Sequence, residues 1–174
     1  MRKSVQFLLL FLMCISASWT WASDAPERTV LFNMGDYDSQ YWRIPALVTA
    51  ADNSLVAVVD KRGSSLGDLP NTISIMSRRS TDNGKNWSEP VVVAQGGNGK
   101  TYGDPAVVLD KKTGNLICMF VGDQGLWTAT PYNRQGIYVS KSTDNGVSWS
   151  EPVAITDQVY ANHSSWYAGF AGSG

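Results

Sequence analysis

One eight-residue pattern occurs twice in this chain, 62 positions apart: Ser80-Thr81-Asp82-Asn83-Gly84-Lys85-Asn86-Trp87 and Ser142-Thr143-Asp144-Asn145-Gly146-Val147-Ser148-Trp149. Each copy runs directly into Ser-Glu-Pro-Val. The flanks repeat as well, since Pro45-Ala46-Leu47-Val48 answers Pro105-Ala106-Val107-Val108 at an offset of 60. Asn53-Ser54-Leu55 answers Gly114-Asn115-Leu116 in the same way. A unit of this length, repeated, points to a propeller or a solenoid.

The octapeptide has the chemistry of a tight turn. Its Asp can accept hydrogen bonds from backbone N–H groups just ahead, its Asn tolerates a left-handed conformation, and its Gly takes positive φ without steric cost. The pattern is therefore expected to join two antiparallel strands. The Trp that follows is expected to pack the start of the next strand onto a neighbour. On this reading Asp82 and Asp144 are structural rather than catalytic.

From Thr29 onward, short runs rich in Val, Ile and Leu alternate with polar turns, and no stretch has convincing helical periodicity. The expected fold class is all-β. The first unit places strands near 44–49, 54–60, 72–79 and 89–94, with Ala51-Asp52-Asn53 turning the first pair. The second unit places them near 104–109, 115–121, 136–141 and 151–156. Four strands per unit make a propeller blade. Two blades leave a ring unclosed, and Trp166-Tyr167-Ala168-Gly169-Phe170 reads as the approach to a third unit. The chain is expected to be the amino-terminal part of a longer protein; assembly of several copies into one ring is the alternative.

Residues 1–22 read as a signal peptide. Arg2 and Lys3 precede an apolar run from Val5 to Ile15, and Thr20 and Ala22 are small residues at the positions a signal peptidase reads. The run is short for a membrane span, and Met13 before Cys14 fits a lipoprotein signal poorly. Residues 23–174 would then form the exported domain, periplasmic or extracellular, without stable membrane insertion. Removing Arg2 and Lys3 moves the formal charge from −1 to −3. That balance gives no reason to expect a nucleic-acid partner. Cys118 is left without an intrachain partner, inside the apolar run Leu116-Ile117-Cys118-Met119-Phe120, where a buried thiol is expected. His163 is the single histidine, which excludes a histidine-rich metal site or a histidine-based triad within the chain.

Three charged residues interrupt the structural pattern. Arg43 stands directly before Ile44-Pro45, at the start of the innermost strand of the first blade; it reads either as a buried charge facing the axis, which would need an anion, or as a surface arginine. Arg62 follows the second strand. Asp68 lies in the loop Gly63-Ser64-Ser65-Leu66-Gly67-Asp68-Leu69-Pro70. Strand ends return to the same mouth of a propeller, so the three are placed to converge.

Tyr41-Trp42-Arg43-Ile44-Pro45 resembles the aromatic-Arg-Ile-Pro motif of exo-α-sialidases (neuraminidases), and the octapeptides resemble that family's Asp boxes, Ser-x-Asp-x-Gly-x-Thr-Trp, also known as BNR repeats. The resemblance runs from Thr29 to Gly174. Asn86 and Ser148 stand where the box usually has Thr, and Trp42 makes the lead-in to the arginine doubly bulky. The resemblance implies a six-bladed β-propeller, of which this chain covers about two blades and the start of a third. It implies a retaining glycoside hydrolase that releases terminal sialic acid from glycoproteins, glycolipids or oligosaccharides, with no metal or organic cofactor. Arg43 would match the first of three arginines that clamp the substrate carboxylate, a task suited to a planar guanidinium. Arg62 would match the arginine beside the sugar's 4-position. Asp68 would match the general acid and base, with Asp60 close enough in sequence that geometry must choose between them. Asp104 would match an acidic residue contacting sugar substituents, and Trp127 the apolar wall facing the N-acetyl group. The family's nucleophile is a tyrosine paired with a glutamate; neither is located here, nor are the other two clamp arginines. A trans-sialidase and a non-catalytic propeller that binds glycan or protein are the alternatives.

Overall fold

The computed structural model describes residues 28–161 and 163–169. The 1–22 segment expected to be a signal peptide, and Phe170 in the approach to a third unit, lie outside the described residues. Eight strands form two four-stranded antiparallel sheets. The first contains β1 (Trp42–Thr49), β2 (Leu55–Lys61), β3 (Ser74–Ser80) and β4 (Val91–Ala94), hydrogen-bonded in chain order. The second contains β5 (Tyr102–Leu109), β6 (Leu116–Gly122), β7 (Gly136–Ser142) and β8 (Val153–Ala154), ordered likewise. Each sheet is a meander, and β1 and β5 pack against each other at the inner edge. The expected strands are all present, with ends shifted by a few residues.

Two sequence expectations are corrected. The last strand is two residues long rather than spanning 151–156, because Pro152 has no N–H for the ladder and the chain coils into a short helix, α1 (Thr156–Tyr160). Five residues make barely more than one turn, too few for an amphipathic period to register. In addition, neither box tryptophan starts a strand. Trp87 precedes β4 and Trp149 precedes β8, each followed by Ser-Glu-Pro; the Ser88 and Ser150 N–H groups bond to Arg79 O and Lys141 O, but the strands proper begin only beyond the proline.

The boxes themselves form equivalent turns. Asn83 and Asn145 both sit at φ 60, and Gly84 and Gly146 at φ 86. Ser80 Oγ accepts the Gly84 N–H at 2.8 Å, and Ser142 Oγ accepts the Gly146 N–H at the same distance. Asp82 Oδ1 accepts from the Asn86 N–H at 2.8 Å, and Asp144 Oδ1 from the Ser148 N–H at 2.9 Å. Asn86 and Ser148 also donate their side chains to the same carboxylates, so both substitutions for Thr keep the turn closed. These donors hold the Asp82 carboxyl down at about 2.

The core lies between the sheets. Alternation along β1 to β4 turns Ala46, Val58, Ile75 and Val93 toward Val107, Cys118 and Phe120 of the second sheet. Cys118 is fully buried, as expected, and burial pushes its thiol up to about 12. Polar contacts also fix one sheet on the other, three of them away from the inner strand ends. Trp149 donates its indole N–H to Ser77 Oγ at 2.9 Å, Ser140 Oγ reaches Val93 O at 3.2 Å, and Arg79 Nε reaches Asn145 O at 2.9 Å. At Gly146 a side-chain Cβ would lie 2.7 Å from Val56 Cγ2, so the second box approaches the first sheet more closely than any larger residue allows.

Both inner strands carry the same bulge. Arg43 pairs with Asp60 and Ala46 with Val58, which leaves one extra residue on β1; Gly103 with Val121 and Ala106 with Met119 repeat the irregularity on β5. The bulged residues, Ile44 and Asp104, take φ of 51 and 54. For a β-branched isoleucine this is a strained conformation, of order 1–3 kcal/mol. Bulges re-aim the neighbouring side chain, and here the residue re-aimed on β1 is Arg43.

Candidate active site

The strand ends that carry the two bulges open into one cavity of about 190 Å³. Its lining includes Arg43, Arg62, Asp68, Asp104 and Trp127, so the structure brings together all five residues singled out in the sequence. Apolar surface comes from Ile44, Leu69 and Leu126, and Gln135 contributes a buried amide.

Asp68 sits between two guanidinium groups. Its Oδ1 accepts from Arg62 Nη1 at 2.5 Å and from Arg43 Nη1 at 3.2 Å, while its side chain remains 69% exposed. The hydrogen bond from Arg62 is the main reason its carboxyl is held below the ordinary range, with the charge of Arg43 adding to it. Arg43 is 43% exposed in these two blades; its counter-ion is Asp68 and its other face meets the open side of the cavity. Two features of β1 explain this. The strand is at the inner edge of its sheet, and the bulge swings Arg43 toward the opening.

Arg62 is different. Only 2% of its side chain is exposed, and its donors are already engaged. Nη1 holds Leu66 O at 3.1 Å and Gly67 O at 3.2 Å besides Asp68, while Nε and Nη2 hold Asp60 Oδ2 at 3.2 and 2.8 Å. The Gly/Ser-rich loop is thus wrapped around the Arg62 guanidinium. Burial works against the charge of Arg62, but its bonds to Asp68 and Asp60 outweigh this and raise its proton affinity.

Asp60 and Asp68 are told apart by their surroundings. Asp60 is fully buried beneath the cavity, and its Oδ1 accepts the Asp104 N–H at 3.2 Å. Asp68 faces the opening. Burial pushes the Asp60 carboxyl upward against the pull of Arg62, and it raises Asp104 also. Asp104 is half-buried, and its carboxylate makes no hydrogen bond among the described residues.

Trp127 stands on the rim with 90% of its surface exposed, so Leu69 and Leu126 supply the apolar wall more directly. Leu126 is held there by a close approach. A Cβ on Gly125 would lie 1.9 Å from Leu69 O, so the loop after β6 touches the backbone of the Asp68 loop. Asp60 carried a legible signal: it is an aspartate within Val58-Val59-Asp60-Lys61-Arg62, two residues before Arg62 and thus on the same face. Gln135 and Leu126 carried none, because nothing in the sequence aligns their loop with the site.

Residues 44–174 match the BNR repeat-like domain family. The chain belongs to that family. Its relatives include the sialidase of Bacteroides fragilis, 34% identical over 80% of this chain and 28% of that protein. The sialidase of Micromonospora viridifaciens is 34% identical over 76% of this chain and 22% of its own length. Among solved structures, a Hadza microbial sialidase superposes with a TM-score of 0.66 at 34% identity, covering 72% of this chain and 28% of that one. The leech intramolecular trans-sialidase superposes with the same TM-score at 14% identity, over 80% of this chain and 38% of that one, a likeness of fold alone. This BNR repeat chain is therefore built as blades of a sialidase-type β-propeller and spans about a quarter of the length of the first two relatives.

Proposed function

We propose that the chain supplies two blades of an exo-α-sialidase, a retaining glycoside hydrolase that releases terminal sialic acid from glycoproteins, glycolipids or oligosaccharides. The observation that carries this reading is the convergence of Arg43, Arg62, Asp68 and Asp104 on one cavity from two different sheets.

In this reading Arg43 receives the substrate carboxylate. It is the accessible guanidinium of the cavity, and its paired donors match a carboxylate in shape and charge. Asp68 is the general acid, then the base. In the ligand-free arrangement it is held ionised, which is the wrong state for donating a proton. Binding corrects that: a substrate carboxylate on Arg43 takes away one of the two positive groups facing Asp68 and brings a negative charge close, and both changes raise the carboxyl's affinity for a proton. Asp68 then protonates the leaving glycosidic oxygen and, once ionised, accepts a proton from the attacking water. Asp104, with a free carboxylate, accepts hydrogen bonds from sugar hydroxyls. Leu69, Leu126 and Trp127 take an apolar substituent.

No tyrosine or glutamate lines the cavity among the described residues. The nucleophilic pair that the family resemblance implies must come from other blades, so the 174-residue chain alone is expected to turn over no substrate. Export through the 1–22 leader fits a substrate class displayed on surfaces and secreted proteins, and no described helix is long and apolar enough to cross a membrane. The test is hydrolysis of sialyllactose and a fluorogenic sialoside by the full-length protein, with the anomer of the released sugar followed by NMR. Release of the α-anomer first supports the reading. Absence of any released sialic acid rejects it in favour of a non-catalytic glycan-binding propeller.

A further inference from the structure

Arg62 is a nearly buried cation facing two carboxylates, and only one of them faces the cavity. Asp68 is exposed and, in the proposed reaction, must gain and lose a proton. Each time it is neutral, Arg62 loses one of its two anionic partners. A buried charge left without a partner is strongly disfavoured, so a lone Asp68–Arg62 pair would resist protonation.

Asp60 answers this. It is fully buried, cannot reach solvent or substrate, and meets only donors: two N–H groups of Arg62 on Oδ2 and the Asp104 N–H on Oδ1. An acceptor-only set of contacts belongs to the ionised carboxylate. We propose that Asp60 is a positioning residue of the site, the interior counter-charge of Arg62 that solvent and substrate do not reach and that the Arg62 and Asp104 donors hold ionised against its burial, which lets Asp68 change its protonation without stranding a buried cation. The same carboxylate fixes Arg62 for the loop carbonyls of Leu66 and Gly67 and anchors the Asp104 backbone at its bulge, so one buried group ties the general acid of the first sheet to the ligand carboxylate of the second. This inference rests on the proposed role of Asp68.

The charged and titratable groups around the pair are Arg43 on β1, Arg62 after β2, Asp104 on β5 and Cys118 on β6, whose thiol feels the charge of Asp60. With Asp60 neutral, Asp68 is the only anion hydrogen-bonded to Arg62, and Asp104 acts on it by charge alone. Asp68 is then held ionised more firmly and yields its acid function at lower pH.

Two measurements on the full-length protein decide the matter, one of them independent of catalysis. The first is a thermal double-mutant cycle of Asp60→Asn and Asp68→Asn. The fall in Tm caused by Asp68→Asn is expected to be larger in the Asp60→Asn background than in the wild type, because Arg62 then has no hydrogen-bonded anion left; additive shifts would overturn the proposal. Should Asp60→Asn not fold, Asp68→Asn alone decides, since a protein that keeps Asp60 is expected to lose little Tm and a collapse would show that Asp60 does not suffice for Arg62. The second is the pH profile of kcat on sialyllactose. The alkaline limb of Asp60→Asn is expected to move to lower pH by about half a unit or more, whereas a uniform rate loss with an unmoved limb would mean that Asp60 is merely structural. If the wild type releases no sialic acid, the functional reading fails and the thermal cycle still tests the charge-sharing.

Discussion

The two blades are built on one plan and differ at one end. Both have an inner strand with a bulge before a proline, a Ser-x-Asp-Asn-Gly turn with matching backbone angles, and a meander of four strands. At the mouth the resemblance stops. Where blade one has Arg43, Asp60 and Arg62, the paired positions of blade two hold Gly103, Val121 and, next after Gly122, Asp123. The shared parts lie where the chain must fold, and the divergent parts lie where a ligand would sit. A repeat therefore separates scaffold from site by internal comparison: a charged residue of blade one that blade two lacks has no structural duty common to both.

The sharpest way to break this contrast is Asp68→Ala. The side chain is mostly exposed, so the fold should survive, while turnover of sialyllactose by the full-length protein should fall about 10²–10⁴-fold. Activated aryl sialosides, whose leaving groups need little protonation, should be affected far less. Equal losses on both would remove Asp68 from the proton transfer.

The next effect is geometric. Gly125→Ala places a methyl where Leu69 O now stands, forcing apart the loops that each blade contributes to the cavity. A loss of about 1–3 kcal/mol in stability is expected from such overpacking, together with weaker substrate binding. Denaturant unfolding and KM measured on one preparation would show whether the two losses travel together.

The boxes supply a finer comparison. Trp149 donates its indole N–H across the interface to the buried Ser77, whereas Trp87 donates to Gly84 O within its own box, at 2.9 Å. Trp149→Phe should cost about 1–3 kcal/mol by leaving a buried hydroxyl poorly paired, and Trp87→Phe about 1 kcal/mol or less. Equal Tm shifts would mean that the inter-blade bond contributes nothing beyond ring packing.

The smallest expected effect is on acid stability. Asp82 has its carboxyl lowered to about 2 in the folded protein by hydrogen bonds from Asn86 and Ser80. A depressed carboxylate contributes stability above its unfolded value, near 4, and that contribution is lost as pH falls toward 2. Asp82→Asn should accordingly flatten the slope of Tm against pH in that window and leave it unchanged near neutrality. A slope identical to the wild type would show that the turn is held by other bonds.

Much of this was legible in the residues because the information was local or duplicated. The strands followed from alternation, the boxes from turn chemistry that needs only eight neighbours, and the convergence of Arg43, Arg62 and Asp68 from the rule that strand ends share a mouth. What escaped depended on distance or burial. The role of Asp60 rests on a 3.2 Å contact with a backbone 44 residues away. Gln135 and Leu126 reach the cavity through a loop whose path is set by the Gly125 contact, and Gly125 resembles any other loop glycine. Arg62 looked like an accessible ligand, and only the wrapping of Leu66 and Gly67 carbonyls around it makes it interior. Helix α1 is too short for any periodic signal.

The bond from Trp149 to Ser77 has a direction. The second hairpin seats its indole on a strand made earlier in the chain, while the first places its indole on its own Gly84 carbonyl. Growth along the ribosome runs the same way, so each finished sheet is a mould waiting for the next, and a circular permutation that reversed this order would ask a hairpin to lock onto a surface not yet synthesised.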